Sequence, residues 1–81
     1  MIQIRFEQEN QRSAAYDGEV LVGFCTVQMA DNCWTIHHTE VDPAYGGQGI
    51  ARKLVLCVEE RAKKIGVEII PLCSYAKRIL G

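Results

Sequence analysis

The sequence lacks the features that mark several large protein classes. No apolar run approaches the ~18–20 residues that a membrane-spanning helix needs, and the N-terminus, Met1-Ile2-Gln3-Ile4-Arg5, lacks the basic-then-apolar order of a signal peptide. Only 2 prolines and 7 glycines occur, so the chain is not of low complexity. We therefore expect a cytoplasmic protein. Its 81 residues leave room for one small domain, residues 1–81, and no second module.

The cysteines also lack the spacing of a metal site. No C-x-x-C pair occurs, although His37 and His38 follow Cys33, and structural zinc sites use such close ligand pairs. Disulfides belong to secreted chains. We therefore expect no bound metal and free thiols that mostly act as small core residues. The four thiols belong to Cys25, Cys33, Cys57 and Cys73.

Hydrophobic residues make up 48% of the chain and charged residues 23%, values that exclude disorder and indicate a globular fold. The net charge of −1 conceals an asymmetry. Residues 1–45 carry 2 basic and 7 acidic side chains, whereas residues 46–81 carry 7 basic and 3 acidic ones. A basic C-terminal half suits an anionic ligand, although on charge alone a solvated helix face explains it more simply.

The first half of the chain shows the period-two alternation of β-strands. Residues 2–7 alternate between apolar and polar, and Asp17-Gly18 is a strong hairpin signal. The segment from Val20 to Met29 is apolar on both faces, which predicts a central strand. A fourth strand is predicted from Cys33 to Val41. Plain alternation assigns one of its faces to Trp34, Ile36, His38 and Glu40.

The second half changes to the period of an amphipathic helix. Apolar residues from Ile50 to Ile65 fall on one arc, and Gly66 is a typical helix-ending residue. Leu56 points to the polar side, for which the sequence offers no reason. Val67 to Leu72 predicts a fifth strand and Tyr75 to Leu80 a short helix. The predicted order is β-β-β-β-α-β-α, an α/β (α+β) fold whose mainly antiparallel mixed sheet has one parallel βαβ step.

A glycine-rich loop joins the fourth strand to the helix and is the most informative segment. Residues 46–49 contain three glycines directly before a helix N-terminus, whose unpaired N–H groups and positive dipole end bind phosphates. Neither G-x-G-x-x-G nor the P-loop pattern fits this loop. Composition alone therefore leaves open a phosphate-binding loop and a plain turn.

The same segment carries a resemblance to a known family. Its residues Val41-x-Pro43-x-x-x-Gly47-Gln48-Gly49-Ile50-Ala51-x-x-Leu54 resemble the acetyl-CoA-binding motif of the GNAT acetyltransferase superfamily, whose usual core is Gln/Arg-x-x-Gly-x-Gly/Ala. Gly46 stands where that core has Gln or Arg, which removes a side chain but no backbone donor. The whole chain is similar to small, minimal GNAT-like N-acetyltransferases of the YjdJ type through Thr39-Glu40-Val41, the glycine loop, Ala62-x-x-x-Gly66 and Pro71-x-Cys73-x-Tyr75.

The resemblance implies a reduced GNAT-like fold that binds acetyl-CoA or CoA. The pantetheine arm and pyrophosphate of CoA would lie against the end of the fourth strand, the glycine loop and the first helical turn. The residues in question are Thr39, Val41, Gly46, Gly47, Gln48, Gly49, Ile50, Ala51, Arg52 and Lys53. Full-size members have two helices between the first two strands and two further strands at the end, which wall the acceptor site. Their absence favours an open site and a peptide or protein amine as acceptor.

Four side chains are candidates for catalysis. Glu40, at the end of the fourth strand, is placed to take a proton from the attacking ammonium, with His38 as a relay, although both also fit a solvated strand end. Cys73 lies at the opening of the last helix, where the helix N-terminus can lower the pKa of a thiol and make it reactive. The alternative is that Cys73 is one more buried thiol. Tyr75 would protonate the leaving thiolate of CoA, or it packs as a core aromatic.

Three functions remain open at this stage. The chain is an N-acetyltransferase, a module or subunit that binds CoA without turnover, or an interaction domain whose glycine loop is only a turn. Acetyl-CoA is the expected ligand, with an unknown amine as acceptor, no nucleic acid or membrane partner, and a monomer or weak dimer as the expected state. Transfer through an acetylated Cys73 and direct attack of the amine on acetyl-CoA are both compatible with the sequence.

Overall fold

In the computed structural model, which describes residues 1–80, four strands pair in sequence order. They are β1 (Ile2–Glu7), β2 (Arg12–Asp17), β3 (Val20–Met29) and β4 (Cys33–Val41), and each pairs antiparallel with the next. The β2–β3 turn has Gly18 at a φ of +64°, as the Asp-Gly signal predicts.

The chain then forms one crossover. Helix α1 (Ile50–Ile65) connects β4 to β5 (Glu68–Pro71), which pairs parallel to β4, and a short helix α2 (Ser74–Leu80) follows. Gly66, at a φ of +82°, ends α1 and donates its N–H to the carbonyl oxygen of Ala62. The predicted order of elements, the mixed sheet and the parallel step are confirmed.

One hydrophobic cluster joins both helices to the same side of the sheet. Leu54, Val55 and Val58 of α1 are fully buried in it, and so is Ala76 of α2. The one buried polar side chain of the core, within residues 1–80, is Ser13, which donates its hydroxyl to the carbonyl oxygen of Leu54 at 2.8 Å and pins α1 to β2. In the same described range, no helix packs on the opposite side, which we call the open face.

The predicted faces of β4 are wrong beyond Ile36. Ile36 pairs with Val27 of β3 and His38 with the preceding residue, Thr26, so His37 is an extra residue at a β-bulge. The bulge reverses the alternation. Trp34 and Ile36 are buried on the helix side, where Thr39 and Val41 join them, whereas His38 and Glu40 lie exposed on the open face.

Candidate functional site

The glycine loop presents backbone N–H groups around the start of α1. Gly47 and Gly49 have φ values of +78° and +74°, a conformation that costs other residues roughly 1–2 kcal/mol. A Cβ at either position would meet no atom of residues 1–80 within 4 Å, so the space above the loop is open. These glycines are therefore required by the backbone conformation and leave room for a ligand.

The first turn of α1 is left without a side-chain cap. Gly49 occupies the N-cap position and supplies no acceptor, and within residues 1–80 no hydrogen bond is donated by the amides of residues 47–52. Arg52 and Lys53 lie exposed in this turn, which contains no acidic residue. Cations at a helix N-terminus are unfavourable for the helix itself. The amides and the two cations together form a surface suited to phosphate groups.

A tether that the sequence did not predict holds this loop in place. Before the glycines, Pro43–Tyr45 forms a short 3-10 turn capped by Asp42, whose carboxylate accepts the N–H of Ala44 at 2.9 Å. The hydroxyl of Tyr45 donates to Asp17 in the β2–β3 hairpin at 2.6 Å. This hydrogen bond lowers the pKa of Asp17 and raises the pKa of Tyr45. The Asp-Pro pair is a recognisable helix-start signal, but nothing local indicates the distant Asp17.

This tether provides a first prediction. Replacing Tyr45 by Phe removes the hydrogen bond to Asp17 and leaves the ring, so the loop becomes less ordered before it binds a ligand. We expect the affinity for CoA in calorimetric titration to fall a few-fold. Tyr16→Phe is the matched control, because the Tyr16 hydroxyl bonds to Glu7 instead. Equal CoA affinity in Tyr45→Phe and wild type would show that the tether does not organise the loop.

Beside the loop, a gap opens between the two parallel strands. The pairing of β4 with β5 ends at Ile36 and Pro71, and the N–H groups of Leu72 and Cys73 both bond to the carbonyl oxygen of Ile36 at 3.0 Å. Residues 37–41 of β4 continue without a neighbouring strand on that side within residues 1–80. Their edge therefore offers free backbone groups to an extended ligand.

Cys73 closes the inner end of this gap. Its Sγ lies 3.8 Å from the hydroxyl oxygen of Thr39, which in turn donates to the Sγ of the buried Cys25 at 3.4 Å. Partial burial raises the pKa of Cys73, but hydrogen bonds from the backbone of Ala76 and Tyr75, together with the contact to the Thr39 hydroxyl, outweigh it, and the pKa lies below its usual value. Burial raises the pKa of Cys25. Cys73 is thus the more readily ionised of the two thiols.

The two acid–base candidates lie together on the open face. The Nε2 of His38 is 3.3 Å from a carboxylate oxygen of Glu40, and both side chains are more than half exposed, at 57% and 62%. Thr39 between them points to the helix side, toward Cys73. Glu40 and Cys73 therefore face the same stretch of β4 from opposite sides of the sheet.

A depression of about 530 Å³ adjoins Glu40. The residues that line it include the apolar Leu21 and Phe24 and the acidic Glu40 and Asp42. The β2–β3 register shifts between Ala15 and Tyr16 at this point, which disturbs the alternation of β3. The result is a concave, partly apolar site with two acidic groups, next to the candidate base.

The remaining predicted residues fall into two groups. Gln48 is exposed in the loop, and Ile50 is buried beneath it, where its side chain anchors the helix start in the core. Tyr75 is half-buried and packs against the hydrophobic cluster. The four cysteines are free. Residues 1–80 contain no group of three or more His, Cys, Asp or Glu side chains placed to hold a metal ion.

Comparisons with known proteins give the family. The chain matches the GCN5-related N-acetyltransferase family over residues 5–81 and belongs to it. Acetyl-CoA is the substrate of this family. The resemblance found in the sequence to the GNAT superfamily is therefore confirmed. A search of curated proteins finds no match.

Solved structures show the same fold. A GCN5-like protein from Staphylococcus aureus is 32% identical, with a TM-score of 0.71 over 96% of this chain and 76% of its own. PaiA N-acetyltransferase from Thermoplasma acidophilum, solved in complex with coenzyme A, is 25% identical, with a TM-score of 0.66 over 76% of this chain and 41% of its own.

A third similar structure is considerably longer than this chain. Ribosomal-protein-alanine N-acetyltransferase from Brucella melitensis is 16% identical, with a TM-score of 0.71 over 84% of this chain. This chain spans 56% of the length of that enzyme.

A bilayer-crossing helix is not among the elements formed by residues 1–80.

Proposed function

We propose that this chain binds acetyl-CoA and transfers its acetyl group to an amine. The observation that carries the proposal is the uncapped glycine loop beside the gap between β4 and β5, with Cys73 at the inner end of the gap. Family membership and the coenzyme A complex of the PaiA enzyme support it. We further propose that residues 1–81 act as one domain.

In this proposal, the phosphates of CoA lie on the amides of residues 47–51, because the N–H of Gly46, which the sequence included in this set, already bonds to the carbonyl oxygen of Pro43 at 3.1 Å. Arg52 and Lys53 add positive charge, and Gln48 lies exposed within reach of the same surface. The pantetheine arm takes the vacant place beside β4, where the backbone of Thr39 and Val41 offers hydrogen-bonding groups. This placement brings the thioester to Cys73 on one side of β4 and leaves Glu40 on the other.

The acceptor would approach from the open face. The depression beside Glu40 is lined by apolar and acidic residues, which suit an ammonium group on an aliphatic stem. Because no element of residues 1–80 covers this face, a bulky acceptor meets no obstruction. We propose an amine of a peptide or protein as the acceptor.

The chemistry requires three proton movements. Glu40, directly or through water and with His38 as a relay, takes a proton from the ammonium, and the free amine attacks the thioester carbonyl. The bond from this carbon to sulfur breaks as the new amide bond forms, and the amide nitrogen releases its extra proton to solvent. Tyr75 or Cys73 gives a proton to the departing CoA thiolate. In the alternative route, the acetyl group is transferred first from CoA to the Cys73 thiolate and then from Cys73 to the amine.

Binding and turnover test the proposal separately. Calorimetry should show one binding site for acetyl-CoA and for CoA. Either ligand should also raise the melting temperature, because a ligand that binds only the folded state adds about 2.7 kcal/mol to the free energy of unfolding at a concentration of 100 times its Kd. Incubation with acetyl-CoA and lysine-containing peptides should release CoA thiol. Absence of CoA binding would overturn the proposal.

A CoA-binding module without turnover is the alternative. The exposure of Glu40 and His38, at 62% and 57%, favours it, because a general base works best where water is excluded. Binding of CoA without release of thiol across a panel of peptide and small amines would select this alternative.

Glu40→Gln distinguishes a base from a solvated carboxylate. Near neutral pH we expect kcat to fall about 100-fold, the lower end of general-base contributions, with CoA affinity unchanged. The deficit should shrink as pH rises, because the amine then loses its proton without help. Pre-steady-state rates across pH check this, with Glu19→Gln, an exposed acid in the β2–β3 turn, as the control. An unchanged rate at every pH would transfer the role to His38.

A further inference from the structure

Leu56, whose position the helical pattern leaves unexplained, lines a second groove, which extends along α1 from Lys53 in its first turn to Lys64 near its end. This groove, of about 420 Å³, runs between α1 and β1, the outermost strand. Its floor includes Ile4 and Phe6 of β1 together with Leu56, and all three side chains are half-buried. The groove is thus an apolar trough, and filling it would bury surface that now faces water.

The rim of this groove is basic. Lys53, Arg61 and Lys64 of α1 lie along it, against one acid, Glu60, and all four are exposed. The guanidinium of Arg61 lies over the ring of Phe6, 5.2 Å from its centre, which fixes one cation above the apolar floor. A ligand that combines apolar groups with negative charge therefore fits the trough.

The outer edge of the sheet beside this groove, along β1, is unpaired within residues 1–80. β1 runs six residues without proline, its register with β2 has no bulge, and within residues 1–80 no element pairs with its outer side. Native sheets usually blunt such an edge by bulges, prolines, very short strands or charged side chains, and of these β1 has only the charges of Arg5 and Glu7. The free backbone groups of β1 form a template for an added strand.

We propose that an extended acidic segment of a partner protein adds to the outer edge of β1 and places its side chains in this groove. Backbone hydrogen bonds to β1 would supply affinity, apolar side chains would cover Ile4, Phe6 and Leu56, and carboxylates would meet the rim. The surface is separate from Glu40 and Cys73, and it shares only Lys53 with the phosphate surface at the start of α1.

Charge argues against a second copy of the chain in this place. A twofold β1–β1 pairing would set the two basic rims on the same side of the joined sheet, so that three cations from each copy face each other across the seam. An acidic segment neutralises this rim instead.

A synthetic probe tests the proposal on the intact chain. A capped eight-residue peptide of repeated Val-Val-Glu-Glu places valine and glutamate in turn on each face of a strand. In an NMR titration, we expect amide shifts confined to β1 and to the groove side of α1, with an affinity that falls as salt rises. The same peptide with lysine for glutamate, and a form N-methylated at alternate amides, should each bind at least ~10-fold more weakly.

Charge reversal on the protein locates the site. Lys64→Glu should weaken binding of the acidic peptide by about fivefold, the effect of roughly 1 kcal/mol, whereas Lys77→Glu on α2 makes the same charge change away from the groove and should not. CoA affinity of each variant verifies the fold. Equal binding of the N-methylated or lysine peptide, or shifts elsewhere, would overturn the proposal. So would peptide-independent dimerisation through β1, which would assign this edge to a second copy.

Discussion

Gly49→Asp should abolish binding of CoA while the chain stays folded. The residue has a φ of +74°, so any side chain costs roughly 1–2 kcal/mol there, and aspartate adds a negative charge where phosphate is expected. The carboxylate would also accept the N–H groups of the first helical turn, as an N-cap aspartate does, and so occupy the anion site itself. Because charge-assisted hydrogen bonds are worth roughly 1.5–3 kcal/mol each, we expect affinity to fall by about 100-fold or more.

The other end of the same helix supplies the matched control. Gly66 has a φ of +82°, and a Cβ added there, as at Gly49, would meet no atom of residues 1–80 within 4 Å. Gly66→Asp therefore carries the same strain and charge and should lower the melting temperature while CoA affinity stays within about twofold of wild type. Gly49→Ala separates strain from charge and should fall between the two. A Gly49→Asp variant that binds CoA within about twofold of wild type would remove the glycine loop from the site.

The second large effect is expected at Cys73. If the thioester lies in the gap between β4 and β5, saturating acetyl-CoA should slow alkylation of Cys73 by about tenfold or more, because only the free protein exposes the thiol. Cys33 and Cys57, also half-buried, are internal controls that should change little.

Without ligand, Cys73 should react at lower pH than Cys25, because its pKa is lowered and that of Cys25 is raised. Peptide mapping of alkylated sites measures all four rates. Equal rates at Cys73 with and without acetyl-CoA would place it outside the site, and Tyr75 would then be the proton donor.

Intact mass resolves the route of transfer. In the covalent route, the Cys73 thiolate attacks the thioester carbonyl, CoA leaves as its thiol, and the protein gains about 42 Da in a bond that hydroxylamine cleaves. We expect direct attack of the amine and therefore no lasting adduct when acetyl-CoA is mixed with the protein alone. A hydroxylamine-sensitive adduct that Cys73→Ala abolishes would instead assign the two-step route.

The fold was predictable wherever local pattern and tertiary pairing agree. Three elements have the predicted bounds: the helix Ile50–Ile65 and the strands Val20–Met29 and Cys33–Val41. Burial of one side of the helix and a central position in the sheet both require a regular apolar pattern, and that pattern is visible in the sequence. The fifth strand is Glu68–Pro71, shorter than the predicted Val67 to Leu72. Its length depends on where its pairing with β4 ends, at Ile36 and Pro71, and not on its own residues.

The site was less predictable because its geometry depends on contacts between distant residues. The glycine loop follows from sequence, since few other residues adopt its positive φ values. The bulge at His37 does not, because it arises from the register between two strands, and it decides that Glu40 faces the open side. The tether from Tyr45 to Asp17 and the groove beneath Leu56 likewise depend on residues far apart in the chain.

The missing neighbour along residues 37–41 of β4 has a consequence for the lifetime of the protein in a cell. Within residues 1–80, β5 pairs with the rest of the sheet at only four positions, so the segment from Glu68 onward should detach more readily than the central strands and then be open to proteases. A pantetheine arm seated in the gap would lie against that segment and hold it down. Abundance of the protein would then follow the supply of acetyl-CoA, rising when the metabolite is plentiful and falling through degradation when it is scarce, without any change in gene expression.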